Sequence, residues 1–288
     1  MVFHLHLRTG ELITLPKPAV MGVINISPNS FINAHQSLDA ALQSTAKMVE
    51  QGVDIIDLGA VATNPKIKLT TEIPNEQLEM DRLIPLVEAV RKRFEVLISV
   101  DTSRAEIMRA AVAAGADMIN DQRALTEKNA LQTVAELKTP VCLMHFFAET
   151  RQPGSCSFAE LMQMIKRELL QRVQLCEQSG ITRDKIILDP GFGQGNYAKN
   201  ADENFYLLAH LNELIELGFP LLSAWSRKSM IGDSLNAVPE DRLFGSIAAD
   251  TLATFMGAHI LRGHDVKATA DAIKITQRVI AMRDNKKD

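Results

Sequence analysis

Polar side chains recur at one place along this chain, directly at the ends of short apolar runs. Asn25 ends AVMGVIN, Asp57 lies in VDIIDLG, Asp101 ends VLISVD, and Asn120 and Asp121 end DMIND. His145 ends PVCLMH, Asp189 lies in KIILDPG, Ser226-Arg227-Lys228 follows FPLLSAW, and Arg262 and His264 lie in AHILRGH. Asp101, Asn120 and Asp189 offer the donors and acceptors that suit a planar, nitrogen-rich heterocycle. Arg262, His264 and Arg227 add a cationic side suited to phosphate or pyrophosphate. Asn25, from the opposite wall, could ligate a hard cation such as Mg²⁺ carried by that anion. The residues therefore point to a heterocycle bearing a phosphate group.

Each position also has a plainer reading. Asp101 opens DTSRAE, where Ser103 and Glu106 have capping-box spacing. Asp189 precedes Pro190-Gly191 and can start a turn. His145 and His264 can be hydrogen-bonded rim histidines, Lys228 a solvated loop lysine, and Arg227 a partner for Asp265. Asp57 and Asp121 are the weakest members and are left out of the expected site.

The elements that must position these groups form one repeating unit. FHLHLRTGELITL alternates about Arg8-Thr9-Gly10 and reads as a hairpin within residues 1–17. Eight apolar runs then alternate with helical patterns at Leu38–Gln51, Asn75–Arg93, Ala105–Ala114, Thr126–Leu137, Phe158–Gln178, Glu203–Leu217, Pro239–Met256 and Lys267–Arg283. Strands apolar on both faces imply a parallel sheet covered by helices. Eight unbroken units predict an α/β fold, a (β/α)8 TIM barrel with the hairpin closing its N-terminal end, as a single domain over residues 1–288. The polar strand ends would then share the C-terminal face. An open doubly wound sheet is the weaker alternative, because no G-x-G-x-x-G follows the first strand.

A net charge of −4 supplies no basic field, which argues against nucleic acid or an anionic membrane as partner. Three cysteines at no metal-ligand spacing, no membrane-spanning run and no leader pattern predict a cytoplasmic protein.

SVDT (99–102), IND (119–121), LMH (143–145), LDPGFG (188–193), SRKSMIG (226–232) and RGHD (262–265), in this order through eight units, resemble the dihydropteroate synthase family. The resemblance runs from about Pro18 to the C-terminus. It implies a transferase of folate biosynthesis, joining 6-hydroxymethyl-7,8-dihydropterin pyrophosphate to p-aminobenzoate with release of pyrophosphate. By the same resemblance Asp101, Asn120, Asp189 and Lys228 would hold the pterin, and Arg262 would pack near its face. Asn25, Arg262 and His264 would hold the pyrophosphate, with Mg²⁺ as cofactor at Asn25. Ser226 would lie beside the p-aminobenzoate carboxylate, and Thr63 would remain from the second loop's binding motif. A homodimer through the last helices is implied as well, although ADTLATFMGA suits a helix buried on the barrel better.

Several loops depart from the family pattern. Asn29 stands for an aspartate after the first strand, and Ala62 and Asn64 for a serine and an arginine after the second. Gln194 stands where an aromatic packs on p-aminobenzoate, Asn196 where a lysine sits, and Ala224 for a glycine. Losing one charge from each of two loops would cost ~3 kcal/mol apiece in the transition state, a factor of ~100 in rate. Lys66 and Lys68 follow Asn64 and carry positive charge. The alternative reading is a paralogue that binds the pterin pyrophosphate with lost or altered synthase activity.

Overall fold

Val-, Ile- and Leu-rich runs too short for helices, each followed by an amphipathic stretch, leave the chain one economical arrangement: parallel strands inside, helices outside. The computed structural model of the chain describes residues 3–15, 18–26, 37–60, 75–147 and 151–284. Its hairpin, β1 (Phe3–His6) and β2 (Leu12–Leu15), is antiparallel. The parallel strands are β3 (Ala19–Asn25), β4 (Ile55–Gly59), β5 (Leu97–Asp101), β6 (Met118–Asp121), β7 (Val141–Met144), β8 (Ile186–Asp189), β9 (Leu222–Ser223) and β10 (Ile260–Gly263). They order as β8-β7-β6-β5-β4-β3-β10-β9, and a bridge between Leu188 and Leu221 links the two ends into a barrel.

The helices are α1 (Leu38–Glu50), α2 (Glu76–Arg93), α3 (Ala105–Ala113), α4 (Ala130–Leu137), α5 (Phe158–Gln178), α6 (Ala201–Ala209), α7 (Leu211–Ile215), α8 (Ser229–Leu235), α9 (Leu243–Phe255) and α10 (Val266–Asp284). Their apolar faces share one core with the outward side chains of the strands. Gly52 and Gly115 end α1 and α3 at φ of 82° and 112°, which lets the chain turn directly into the next strand.

A second, smaller core fills the bottom of the barrel. Leu5 and Leu7 of the hairpin segment pack there against Met21, Ile55, Met118 and Ile260. Burying two leucines at about 2 kcal/mol each makes the hairpin a stopper and leaves the other end to the polar strand termini.

Four expectations change. The helix expected from Thr126 starts at Ala130, because Asp121 accepts the backbone N–H groups of Arg123 (2.8 Å) and Leu125 (2.7 Å) and holds residues 121–125 in a turn. The stretch 203–217 begins earlier, at Ala201, where Asn200 and Glu203 form a capping box, and divides at His210. The run 239–256 opens as a 3-10 turn, Pro239–Arg242, before α9, and α8 was not foreseen. Ser103 and Glu106 form no capping box: the Ser103 hydroxyl donates to Asp121, and α3 has no side-chain cap. Asp121 is thus a turn anchor.

Asp250 of α9 is buried against α10, with Oδ2 accepting from the Thr269 hydroxyl at 2.9 Å and no hydrogen-bond partner for Oδ1 among the described residues. Burial, with a smaller push from Asp265, moves its carboxyl from 3.8 up to about 7. The folded form then holds a proton that the unfolded chain has released, so its contribution weakens as pH rises from about 4 to 7. Asp250→Asn should therefore raise stability at pH 8 by roughly 1–3 kcal/mol more than it does at pH 5. Urea melts at the two pH values measure this; an equal or lower stability of the variant at pH 8 contradicts it.

Candidate active site

The polar end of the barrel is organised by one guanidinium. Arg262 occupies the third position of β10, between β3 and β9. Its Nε donates to Asp57 Oδ2 at 2.7 Å and its Nη2 to Asp101 Oδ2 at 2.8 Å, with Nη2 also 2.6 Å from Asp57 Oδ2. Asn120, at the end of β6, donates to the same Asp57 oxygen at 3.1 Å. Gln122, just past β6, donates to Asp101 at 2.7 Å. Burial pushes the Asp101 carboxyl up to about 7, opposed by Arg262 and reinforced by Asp57. Four strands thus supply one hydrogen-bonded set of alternating charge.

Asp189 and Lys228 form the neighbouring part of the rim. Asp189 ends β8, and its Oδ1 accepts the Gly191 N–H at 2.7 Å. Burial raises its carboxyl above the ordinary range, while the Lys228 ammonium draws it back. Lys228 precedes α8 and donates to the Phe192 carbonyl. Burial lowers the Lys228 ammonium to about 8 against the attraction of Asp189. The turn role expected for Asp189 and a place at the rim therefore coexist.

Ser226 and His264 meet on the other side, Oγ to Nδ1 at 2.9 Å, and the His264 backbone N–H donates to Ser226 Oγ at 3.2 Å. Burial, then the charge of Arg262, lowers the His264 imidazole to about 4, so it is neutral near pH 7. Arg227 turns away: Nε and Nη2 grip Asp265, each at 2.8 Å, and Nη1 binds the carbonyls of Pro239 and Glu240. The expected cationic trio is corrected accordingly. Arg262 and Lys228 carry the positive charge of the rim, while Arg227 braces its loop.

Asn25 ends β3 beside Gly59 of β4, which in turn pairs with Asp101. A Cβ added at Gly59 would lie 2.7 Å from Asn25 Oδ1 and 3.6 Å from Asp101 Cβ. Glycine there leaves the amide oxygen room across the strand end. His145, by contrast, turns its ring into the helix layer, with Nε2 3.1 Å from Glu168 and Phe147 edge-on at 4.3 Å. Thr63, Asn29, Ala62, Asn64, Lys66 and Lys68 lie outside the described residues.

The loop between β8 and α6 departs from its expected reading. Gln194 donates to Asp233 of α8 at 2.9 Å. Three residues on, Tyr197 is buried with Lys228 Nζ 5.2 Å from its ring centroid and its hydroxyl 3.3 Å from Gln122. Lys199, three residues past Asn196, is 1% exposed and donates to the Gly191 carbonyl at 2.9 Å. The turn Gly195–Tyr197 brings an aromatic ring and an ammonium to this end, beyond the positions of Gln194 and Asn196. Gln122, Tyr197 and Lys199 are the polar groups of this end that the sequence reading missed. Asp57, a lone aspartate inside the apolar IIDLG that the expected site left out, is the acceptor that Arg262 and Asn120 share.

The model of the family described as Pterin binding enzyme matches residues 21–264. The dihydropteroate synthase of Escherichia coli (strain K12) is 41% identical over 281 residues, 96% of this chain and 97% of that protein. That of Haemophilus influenzae is 42% identical over 271 residues, 93% and 96% of the two chains. A dihydropteroate synthase from Coxiella burnetii, solved in complex with pteroic acid, has a TM-score of 0.93 at 57% identity, covering 97% and 99% of the two chains. The Xanthomonas albilineans enzyme solved with 4-aminobenzoic acid has a TM-score of 0.85 at 40% identity, covering 98% and 99%. Likeness of this extent, running the length of the barrel and through its polar strand ends, makes the chain a member of the dihydropteroate synthase family of pterin-binding enzymes.

Proposed function

We propose that this transferase condenses 6-hydroxymethyl-7,8-dihydropterin pyrophosphate with p-aminobenzoate, giving 7,8-dihydropteroate and pyrophosphate. The observation that carries the reading is the Arg262 guanidinium fixed at the barrel mouth by Asp57 and Asp101, with Asn120 and Gln122 on the same carboxylates. The relatives solved with pteroic acid and 4-aminobenzoic acid support it.

In this reading Asp101, Asn120, Asp189 and Lys228 match donors and acceptors on the pterin ring, and Arg262 lies against its face. Asn25, Arg262 and His264 receive the pyrophosphate, Ser226 the arylamine carboxylate, and Thr63 belongs to the second loop's contribution. An anion beside His264 favours the protonated imidazole that burial otherwise disfavours. The C–O bond to pyrophosphate breaks with its electron pair leaving on the anion. The arylamine nitrogen then bonds to the exocyclic carbon and releases its proton. Arg262 and Lys228 stabilise the charge that develops, and the barrel rim fixes the two rings relative to each other.

Asn25 is the residue that would hold Mg²⁺, since its amide oxygen is a hard, neutral donor set over Gly59. Asn25 would supply one oxygen and the pyrophosphate others. When bound, the ion would offset charge on the departing pyrophosphate.

The same reading takes residues 1–288 as one domain of a cytoplasmic homodimer. No described helix is long and apolar enough to cross a membrane. Ile275 (68% exposed), Val279 (54%) and Met282 (60%) line one face of α10, and Phe244 (83%) and Leu252 (50%) stand on the adjoining α9. A second copy would cover them. Ile275→Asp with Val279→Asp should halve the mass seen by sedimentation velocity at micromolar concentration; a monomeric parent protein would sink the dimer.

The test of function is chromatographic detection of dihydropteroate formed by the purified protein from both substrates and Mg²⁺. Product at enzyme-like rates supports the synthase. Binding of the pterin pyrophosphate without product would favour the non-catalytic paralogue, the reading that Asn29 and Asn64 invite.

A further inference from the structure

A buried lysine is costly unless something nearby uses it, because desolvation disfavours its charge. Lys199 is among the largest fully buried side chains of the chain, and none of the roles above employs it. Its Nζ donates to the Gly191 carbonyl at 2.9 Å and lies 5.2 Å from the centre of the Phe147 ring. Gly191 in turn donates its N–H to Asp189 Oδ1 at 2.7 Å. A Cβ at Gly191 would sit 2.1 Å from the His145 carbonyl, so this turn presses directly on β7 and has little room to shift. The lysine's own backbone is anchored too. Arg151 donates to the Ala198 carbonyl at 2.5 Å, and Asn200 caps α6 through Glu203 at 2.8 Å.

We propose that Lys199 is a positioning residue for substrate recognition: by holding the Asp189-Pro190-Gly191 turn from behind, it aims the Asp189 carboxylate at the heterocycle. This rests on the reading that Asp189 contacts the pterin. The lysine acts twice, through the hydrogen bond to Gly191 and through its charge, which favours the ionised form of Asp189. The charged groups facing Lys199 are Asp189, Lys228, Arg151, Glu203, Glu168 and, when protonated, His145. Asp189 is the largest favourable one. Burial brings the Lys199 ammonium down to about 7, so its charge is present on the acid side of neutrality, where Asp189 is closest to taking up a proton.

Lys199→Met and Lys199→Gln separate the two actions, since the amide keeps an N–H donor but no charge. In Lys199→Met, KM for the pterin pyrophosphate should rise about tenfold with kcat and the arylamine KM within about twofold. The acid limb of kcat/KM for the pterin substrate should move to higher pH as Asp189 loses its neighbouring charge. Lys199→Gln should recover most of the KM but keep the displaced acid limb. Calorimetric binding of the pterin pyrophosphate alone should show the same loss of affinity for Lys199→Met. If that variant does not fold, Lys199→Gln and its pH profile carry the test. An unmoved acid limb in both variants, or equal losses in kcat and both KM values, overturns the proposal. A parent protein that neither binds nor converts the pterin pyrophosphate would instead overturn the functional reading beneath it.

Discussion

Asp57→Ala should lower kcat/KM for the pterin pyrophosphate by about 10²- to 10³-fold. Asp57 is fully buried, and one of its oxygens accepts the Nε–H of Arg262 and an N–H of Asn120, with Arg262 Nη2 2.6 Å away. Alanine leaves the guanidinium with Asp101 alone and removes the acceptor of the Asn120 amide. Breaking a buried ion pair from one side costs on the order of 3–5 kcal/mol. If about 3 kcal/mol of that is felt in the transition state, the rate constant falls about 100-fold. Asp57→Asn keeps an acceptor for Arg262 without the charge and should lose only about tenfold. Steady-state kinetics on both variants, with thermal melts to confirm folding, test the ranking. An alanine variant within threefold of the parent would show that Arg262 needs no help from Asp57.

The sequence made Asp101, Asn120, Asp189 and Arg262 legible for a simple reason: each is a polar end on an otherwise apolar strand. Asp57 escaped because it lies inside its strand, two residues before the end, and its partner Arg262 is 205 residues away. Arg227 misled for the opposite reason. Its chemistry fits a phosphate, but a bidentate grip on Asp265 occupies it. Tyr197 and Lys199 of the loop after β8 lie three residues beyond Gln194 and Asn196, and no residue type in the sequence marks their approach to the rim. Left-handed Ala198, at φ of 51°, bends the backbone between them, and nothing in its side chain announces that conformation. The barrel itself was legible throughout, because eight apolar runs buried on both faces admit few other solutions.

Arg262→Met should reduce kcat/KM about 10³-fold and make the stability of the protein strongly dependent on pH. The substitution fills similar volume but leaves Asp57 and Asp101, which now share Nη2 at 2.6 and 2.8 Å, facing each other with no cation between them. Burial already holds the Asp101 carboxyl at about 7 while Arg262 pulls it down, so removing Arg262 lets it rise further. The unfolded carboxyl titrates near 3.8, and between there and the raised folded value only the folded form keeps the proton. Stability must then fall as pH climbs through that window. At pH 5 the variant should melt close to the parent. At pH 8 it should lose on the order of 3–5 kcal/mol, or roughly 10 °C in Tm for a chain of this length. Arg262→Lys should regain much of the stability, since one ammonium still neutralises the pair. It should remain at least about tenfold impaired in turnover, because a point charge cannot bind two carboxylates in a fixed fork and also present a flat face to a ring. Melts of both variants at the two pH values, paired with kinetics at pH 8, separate these effects. A pH-independent loss in Arg262→Met would mean that the carboxylates find another counter-charge. Selective rescue of stability but not of turnover by lysine would tie the guanidinium's shape, and not only its charge, to the chemistry.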